Sequence, residues 1–241
     1  MKIAIISDIH GNHNALRSVL EDIDANRIDK IFCLGDCIGY GPEPEQVINE
    51  IQRRAIPCIM GNHEMAVCDR LHMDWFNPMA RYSLEKTITM LSPDSMSFIQ
   101  QLHYSLITDG CCCVHGYPPE SARTYLFQKS TEQIKRTCEL MDQSICFVGH
   151  THVLELISFD GSQIDRRPLA EGLTSLAAGS KYIVNVGSVG QPRDGNNKAK
   201  YVIWDNAAGH LETRFISYDI ADTVAKIKSA GLPEVHANRL W

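Results

Sequence analysis

The stretch Lys2-Ile3-Ala4-Ile5-Ile6-Ser7-Asp8-Ile9-His10 decides how this chain is read. Its first six residues make a β-rich apolar run, suited to a strand buried on both faces. An acid and a histidine follow at once. The same succession recurs downstream. Ile31-Phe32-Cys33-Leu34 leads into Gly35-Asp36, and Pro57-Cys58-Ile59-Met60, read as another short strand, leads into Gly61-Asn62-His63-Glu64. The run Cys111–Val114 leads into His115-Gly116, and Ile145–Val148 into Gly149-His150-Thr151-His152. Between the first runs, Ala15, Leu16, Val19, Leu20 and Ile23 recur at helical spacing, and Val47, Ile48 and Ile51 share a face of a helix expected around Pro44 to Arg54. This βαβαβ alternation predicts an α/β fold with parallel strands and right-handed crossovers.

Ligands of open α/β sheets bind at the carboxyl ends of the strands. Each fragment is weak alone. Asp8 and His10 are two apart and share a face in an extended chain, which lets both meet one ion or both meet solvent. His150 and His152 repeat that geometry, and a lone buried histidine such as His115 is more often a satisfied core residue. Five such fragments, each ending a strand, are a pattern rather than a coincidence. Their oxygen and nitrogen donors suit Mn, Fe, Zn, Ni or Co better than a soft metal.

Composition excludes several other classes. The chain has 241 residues, 44% of them hydrophobic, with 23 Lys+Arg against 29 Asp+Glu and a net charge of −6. That is neither apolar-poor nor highly charged enough for disorder, and the length suffices for a large core in one domain, residues 1–241. Mild acidity argues against a broad basic footprint for duplex nucleic acid. No apolar run approaches a membrane span, and the N-terminal run is too short and polar for a signal peptide. The nine cysteines are odd in number and contain no C-x-x-C pair. Most sit in apolar runs, where a free cysteine behaves as a small buried hydrophobe, so a reducing, cytoplasmic location is expected.

Residues from about 69 to 103 change character. Asn77-Pro78 and Ser92-Pro93 each place a capping residue before a proline at a first helical position, and predict a helical hairpin acting as an insertion or lid. Trp75-Phe76 within it reads as core. Strands return at Leu154–Phe159 and Tyr182–Val186, then as an antiparallel pair at Lys200–Asp205 and Leu211–Ser217. Ile220, Val224 and Ile227 mark a last helix, stopped by Gly231 and Pro233.

Asp8-Ile9-His10, Gly35-Asp36, Gly61-Asn62-His63-Glu64, His115 and Gly149-His150-Thr151-His152 together resemble the calcineurin-like metallophosphoesterase superfamily. Asp8–Asn12, Gly35–Pro42, Asn185–Arg193 and Ala230–Pro233 are similar to its bacterial-type diadenosine tetraphosphatase-like branch. The resemblance implies a four-layer αββα sandwich of two mixed β-sheets with two divalent ions between them. It implies Asp8, His10 and His152 on one ion, Asn62, His115 and His150 on the other, and Asp36 bridging both. His63 would protonate the leaving alkoxide or stabilise the transition state. Such a centre supplies a metal-bound hydroxide near neutral pH for in-line attack on a phosphoryl group, and the partner is a small phosphorylated substrate, with nucleotides among the candidates. The superfamily also contains a non-catalytic case, the retromer scaffold subunit. That alternative predicts ligands lost by substitution, and none of the seven is missing.

Protein phosphatases of the superfamily carry Gly-Asp-x-x-Asp-Arg-Gly. Here Gly39 replaces the acid that would orient the histidine, and Tyr40 replaces the phosphate-binding arginine. Arg193 and Asn12 are the candidate substrate contacts, with Tyr40, Arg123 and Tyr125 as further residues able to approach the site. His13, His72, His103, His210 and His236 lie outside the motifs and read as structural or surface residues. The site also reverses the meaning of the net charge. Two divalent ions bring +4, Asp8 and Asp36 return −2, and a bridging hydroxide leaves about +1 for a phosphate anion.

Overall fold

The computed structural model describes residues 1–241. Strands β1 (Lys2–Ile6) and β2 (Lys30–Cys33) pair in parallel across helix α1 (His13–Ala25), and helix α2 (Pro44–Arg53) follows β2. The segment Pro57–Met60 does not become a ladder strand. It makes only single bridges, Cys33 to Cys58 and Ile59 to His103, because Pro57 offers no N–H and the chain turns away at Gly61.

Helices α3 (Asn62–Cys68), α4 (Pro78–Met90) and α5 (Pro93–Gln100) come next, with a 3-10 turn at Arg70–Trp75. Asn77 and Ser92 do cap α4 and α5. Asn77 Oδ1 accepts from the Met79 and Ala80 N–H groups at 3.1 and 3.0 Å, and Ser92 Oγ from Ser95 N–H at 3.1 Å. The remaining elements are β3 (Ser105–Thr108), β4 (Cys111–Val114), α6 (Thr131–Leu140), β5 (Ile145–Val148), β6 (Leu154–Phe159), β7 (Ile164–Pro168), β8 (Gly172–Ser175), β9 (Lys181–Val186), β10 (Ala199–Asp205), β11 (His210–Ile216), α7 (Ile220–Ser229) and α8 (Glu234–Asn238).

The strands form two mixed sheets, ordered β2-β1-β10-β11-β8 and β3-β4-β5-β9-β6-β7. Alternation along each strand assigns the layers. Ala4 and Ile6 of β1 pack with Leu16, Val19 and Ile48 of α1 and α2, whereas Ile3 and Ile5 face the other sheet. Cys111 and Cys113 of β4 and Ile145 and Phe147 of β5 meet them from the opposite side. Cys112, Cys146 and Val148 point outward onto Ile134 and Cys138 of α6. Helix, sheet, sheet, helix is therefore the layer order, the αββα sandwich that the resemblance implied.

β1 and β2 run parallel, as do β4, β5 and β9. Their carboxyl ends open into the loops that carry the candidate ligands. No helix is long and apolar enough to cross a membrane.

Candidate metal centre

Seven donor residues converge where these loops meet. Asp8 sits at the centre of one half. Its Oδ2 is occupied, accepting from Ser7 Oγ–H at 2.6 Å and from the His150 backbone N–H at 3.0 Å. Its Oδ1 is buried with no hydrogen-bond partner, and faces His152 Nε2 at 3.2 Å and His10 Nε2 at 3.8 Å. Asp36 repeats the arrangement. Oδ1 accepts from His63 N–H at 3.0 Å, while Oδ2 faces the Nε2 atoms of His115, His10 and His63 at 3.3, 3.7 and 3.8 Å. Asn62 Oδ1 lies 3.2 Å from His115 Nε2.

The outer nitrogens of the four candidate histidine ligands fix their tautomers. His10 Nδ1 faces Ile38 O at 3.0 Å, His115 Nδ1 faces Leu34 O at 2.8 Å, and His152 Nδ1 faces Gln191 O at 2.5 Å. His150 uses its other nitrogen, with Nε2 3.0 Å from Arg123 O. A carbonyl only accepts, so each of these nitrogens is the N–H donor, and in the neutral ring the inward nitrogen presents a lone pair. This is how metal-bound histidines are held. The Nε2 atoms of His10 and His152 then face each other across 3.1 Å, an arrangement that a cation reconciles and empty space does not. The orphaned Asp8 Oδ1 and the facing lone pairs both fit divalent ions.

Charge inside the cluster follows the same logic. Burial raises the Asp8 carboxyl, but neighbouring His152 overrides it and holds the group below the usual carboxylate range. Asp36 is likewise lowered, against burial, by His115 and His63. Burial pushes His63 down to about 4 and His150 to about 3. His115 goes the other way, to about 10: burial opposes its charge, and Asp36 outweighs burial.

The backbone is bent to build this cluster. Asp8, His10, Asp36, His150 and His152 all adopt positive φ, between 50° and 67°, a region that costs free energy outside glycine and concentrates at functional sites. Gly149 permits a close approach to the Asp8 carboxylate. A Cβ there would lie 2.1 Å from Ser7 Oγ and 2.5 Å from Asp8 Oδ2.

A profile of the calcineurin-like phosphoesterase superfamily domain matches residues 1–209. The chain belongs to that superfamily. It is 35% identical to an uncharacterized protein of Methanocaldococcus jannaschii over 245 residues, 99% of this chain and 97% of that one. The crystal structure of a metallophosphoesterase from Sphaerobacter thermophilus superposes with a TM-score of 0.86 at 36% identity, covering 100% of this chain and 98% of that one. A symmetrical bis(5'-nucleosyl)-tetraphosphatase of Baumannia cicadellinicola is 28% identical over 108 residues, 43% of this chain and 36% of that one. As a member of this superfamily the protein is a hydrolase of phosphoric esters.

The phosphoesterase cleft above the cluster is a cavity of about 340 Å³ walled by Tyr40, His63, Trp75, Phe76, Arg123, Tyr125 and Arg193, among others. Arg193 reaches it from the loop after β9. That loop is tied to the first sheet: Ser188 Oγ–H donates to Asp8 O at 2.8 Å, and the buried Lys200 ammonium holds Asp194 at 2.6 Å. Asn12 does not reach the cleft. Its Oδ1 caps α1 by accepting from Ala15 N–H at 3.1 Å, and its Nδ2 donates to Gly190 O at 2.9 Å.

Trp75 is not core, contrary to the sequence reading. It is 42% exposed, and the Arg123 guanidinium stacks 3.5 Å from its ring centroid. Phe76 is half-buried and meets the His63 ring edge-on at 4.9 Å. Tyr125 stacks on His150 at 3.9 Å. Glu64 has no role in the sequence reading, yet it accepts from the N–H groups of Asp36, Cys37, Gly61 and Ile38 at 2.8, 2.8, 3.0 and 3.3 Å. Its side chain organises the loop that carries Asp36. The capping glutamate of a Gly-Asn-His-Glu helix start was the available signal.

Proposed function

We propose that this phosphoesterase works with two divalent ions on a small phosphorylated aromatic compound, with nucleotides the leading class. The observation that carries this is the convergence of Asp8, His10, Asp36, Asn62, His115, His150 and His152 beneath an arginine-flanked, aromatic-walled cleft. When bound, such ions polarise the phosphoryl group and supply a nucleophile from water near neutral pH.

The protein's own groups do the rest. Asp8, His10 and His152 offer one three-donor set, and Asp36, His115 and His150 another. Asp36 lies between them and is the natural bridge. Mn, Fe, Zn, Ni and Co all suit these donors. Arg193 supplies a guanidinium for the phosphate oxygens. His63 puts a ring N–H beside the departing oxygen, where it stabilises charge as it develops.

The aromatic wall of Tyr40, Trp75, Phe76 and Tyr125 supports a substrate that carries an aromatic group beside its phosphate. The tetraphosphatase relative supports a nucleotide substrate. The chain is read as one domain, with α4 and α5 as an insertion whose leading edge, Trp75 to Ala80, forms one lip of the cleft. All nine cysteines are unpaired, which supports a reducing compartment such as the cytoplasm.

The test is a metal-supplemented screen of nucleotides, cyclic nucleotides, dinucleoside polyphosphates and alkyl phosphomonoesters. Preferred turnover of nucleotide esters supports the assignment, and equal turnover of alkyl esters removes the aromatic part of it.

A further inference from the structure

Cys33 and Cys37 stand four residues apart and Cys58 another 21 along the chain, and the three meet beside the Asp36 loop. Cys33 Sγ lies 3.5 Å from Cys37 Sγ, and Cys37 Sγ lies 3.6 Å from Cys58 Sγ. All three sulfurs fall within 4.8 Å of one another. No C-x-x-C spacing links them and most cysteines lie in apolar runs, so the sequence alone presents them as separate buried side chains.

The three backbones are fixed independently of any ion. Cys33 N–H donates to Pro57 O at 2.9 Å and Cys33 O accepts from Ile59 N–H at 3.0 Å, which clamps the Cys33 and Cys58 segments together. Cys37 is held through its N–H to Glu64 at 2.8 Å and its carbonyl to Gly11 N–H at 2.8 Å. The spacing suits a metal. Tetrahedral ligands at the usual Zn–S length of about 2.3 Å stand roughly 3.8 Å apart, close to the observed separations. Cys33 and Cys37 are buried, while Cys58 is partly exposed and gives an entry edge.

We propose that Cys33, Cys37 and Cys58 form a separate three-thiolate site for a thiophilic divalent cation. The all-sulfur donor set is soft, unlike the nitrogen and oxygen centre nearby, so the two sites select different ions. Each ligating thiol releases its proton to solvent. A divalent ion then leaves one net negative charge and a monovalent ion two, and burial favours the smaller residue of charge. Because Cys37 follows Asp36 directly, an ion here also braces the loop that carries the candidate bridging carboxylate.

Cd²⁺ is the probe, added to the full-length, chelator-stripped protein. The phosphoesterase centre contains no sulfur donor, so thiolate-to-metal charge-transfer absorption reports on cysteines alone. The expected result is a saturable band that is lost in Cys58→Ser and retained in Cys68→Ser and Cys112→Ser. Absence of the band, or its persistence in Cys58→Ser, overturns the proposal. In case Cys58→Ser fails to fold, ¹¹³Cd NMR of the unmutated protein serves as the second measurement. A resonance in the thiolate-rich range supports the site, and resonances only in the nitrogen and oxygen range overturn it. Neither outcome alters the hydrolysis tests.

Discussion

His63 Nδ1 packs against the α-carbon of Gly39: a Cβ built at Gly39 would lie 2.2 Å from that nitrogen. Gly39 therefore does more than omit an orienting acid. It leaves the space in which the ring sits, and its φ of +83° lies in a region that side-chain-bearing residues rarely adopt. The ring is oriented instead by the rings of Tyr40, His10 and Phe76, at 4.6, 4.7 and 4.9 Å between centroids.

Gly39→Ala should accordingly mimic His63→Ala. Both are expected to lower kcat by about 10²–10³-fold, the range for losing one positioned hydrogen-bond donor to developing charge, while both bound metals are retained. Parallel measurement of turnover and metal content by elemental analysis checks this. Full activity in Gly39→Ala would show that the ring position is not required.

Glu64 acts at one remove, by positioning the Asp36 loop. In Glu64→Gln an amide NH₂ must face backbone N–H donors that now meet a carboxylate oxygen. Metal affinity should fall by about 10–100-fold, as for other groups that orient ligands. Saturating Mn²⁺ should restore most of kcat. A Mn²⁺ titration of activity separates this from a direct role, in which excess metal would restore nothing.

Trp75 and its stacked Arg123 form the aromatic lip. Base-on-aromatic stacking is worth roughly 1–3 kcal/mol, so Trp75→Ala should raise KM for a nucleotide ester by about 5- to 150-fold with little change in kcat. An alkyl phosphomonoester should be unaffected. Equal loss on both substrates would assign Trp75 to structure rather than recognition.

Stability at low pH should depend on Asp22, which joins α1 to the first sheet. It accepts from Arg214 at 2.6 Å and from the Tyr201 hydroxyl at 2.5 Å. Burial raises this carboxyl, and the hydrogen bonds from Arg214 and Tyr201 outweigh burial and lower it. The unfolded chain then binds the proton more readily, so the contribution is complete above the unfolded pKa of about 3.9 and is lost as pH falls through the lower folded value. Melting curves should show Asp22→Asn less stable at neutral pH, with the gap closing in acid. A gap independent of pH would place the loss elsewhere.

The α/β alternation was legible because the apolar runs of β1, β2, β4 and β5 end in chemistry-bearing residues, and β10 carries an apolar stretch from Tyr201 to Trp204; the αββα layering was implied only by the resemblance. Elements with thin apolar signals were not legible. The helix α6 shows only Ile134 and Cys138 to the core, although the Ser130 and Gln133 capping box that starts it was readable. The edge strand β7, Ile-Asp-Arg-Arg-Pro, is mostly exposed and lacks the alternation that marks a half-buried strand. Motif order indicated the candidate ligands. It could not indicate the positive φ angles, the orphaned Asp8 Oδ1 or the Trp75 lip, because these arise from how distant loops press on one another.

The central claim is a hydrolytic centre that needs two ions, and the direct test is a Mn²⁺ titration of the chelator-stripped, folded protein against an activated aryl phosphodiester. Turnover is predicted to be absent without metal and to rise as the second equivalent binds. Equal turnover by the stripped protein, or none with Mn²⁺, Fe²⁺, Co²⁺, Ni²⁺ or Zn²⁺ bound, would contradict the account.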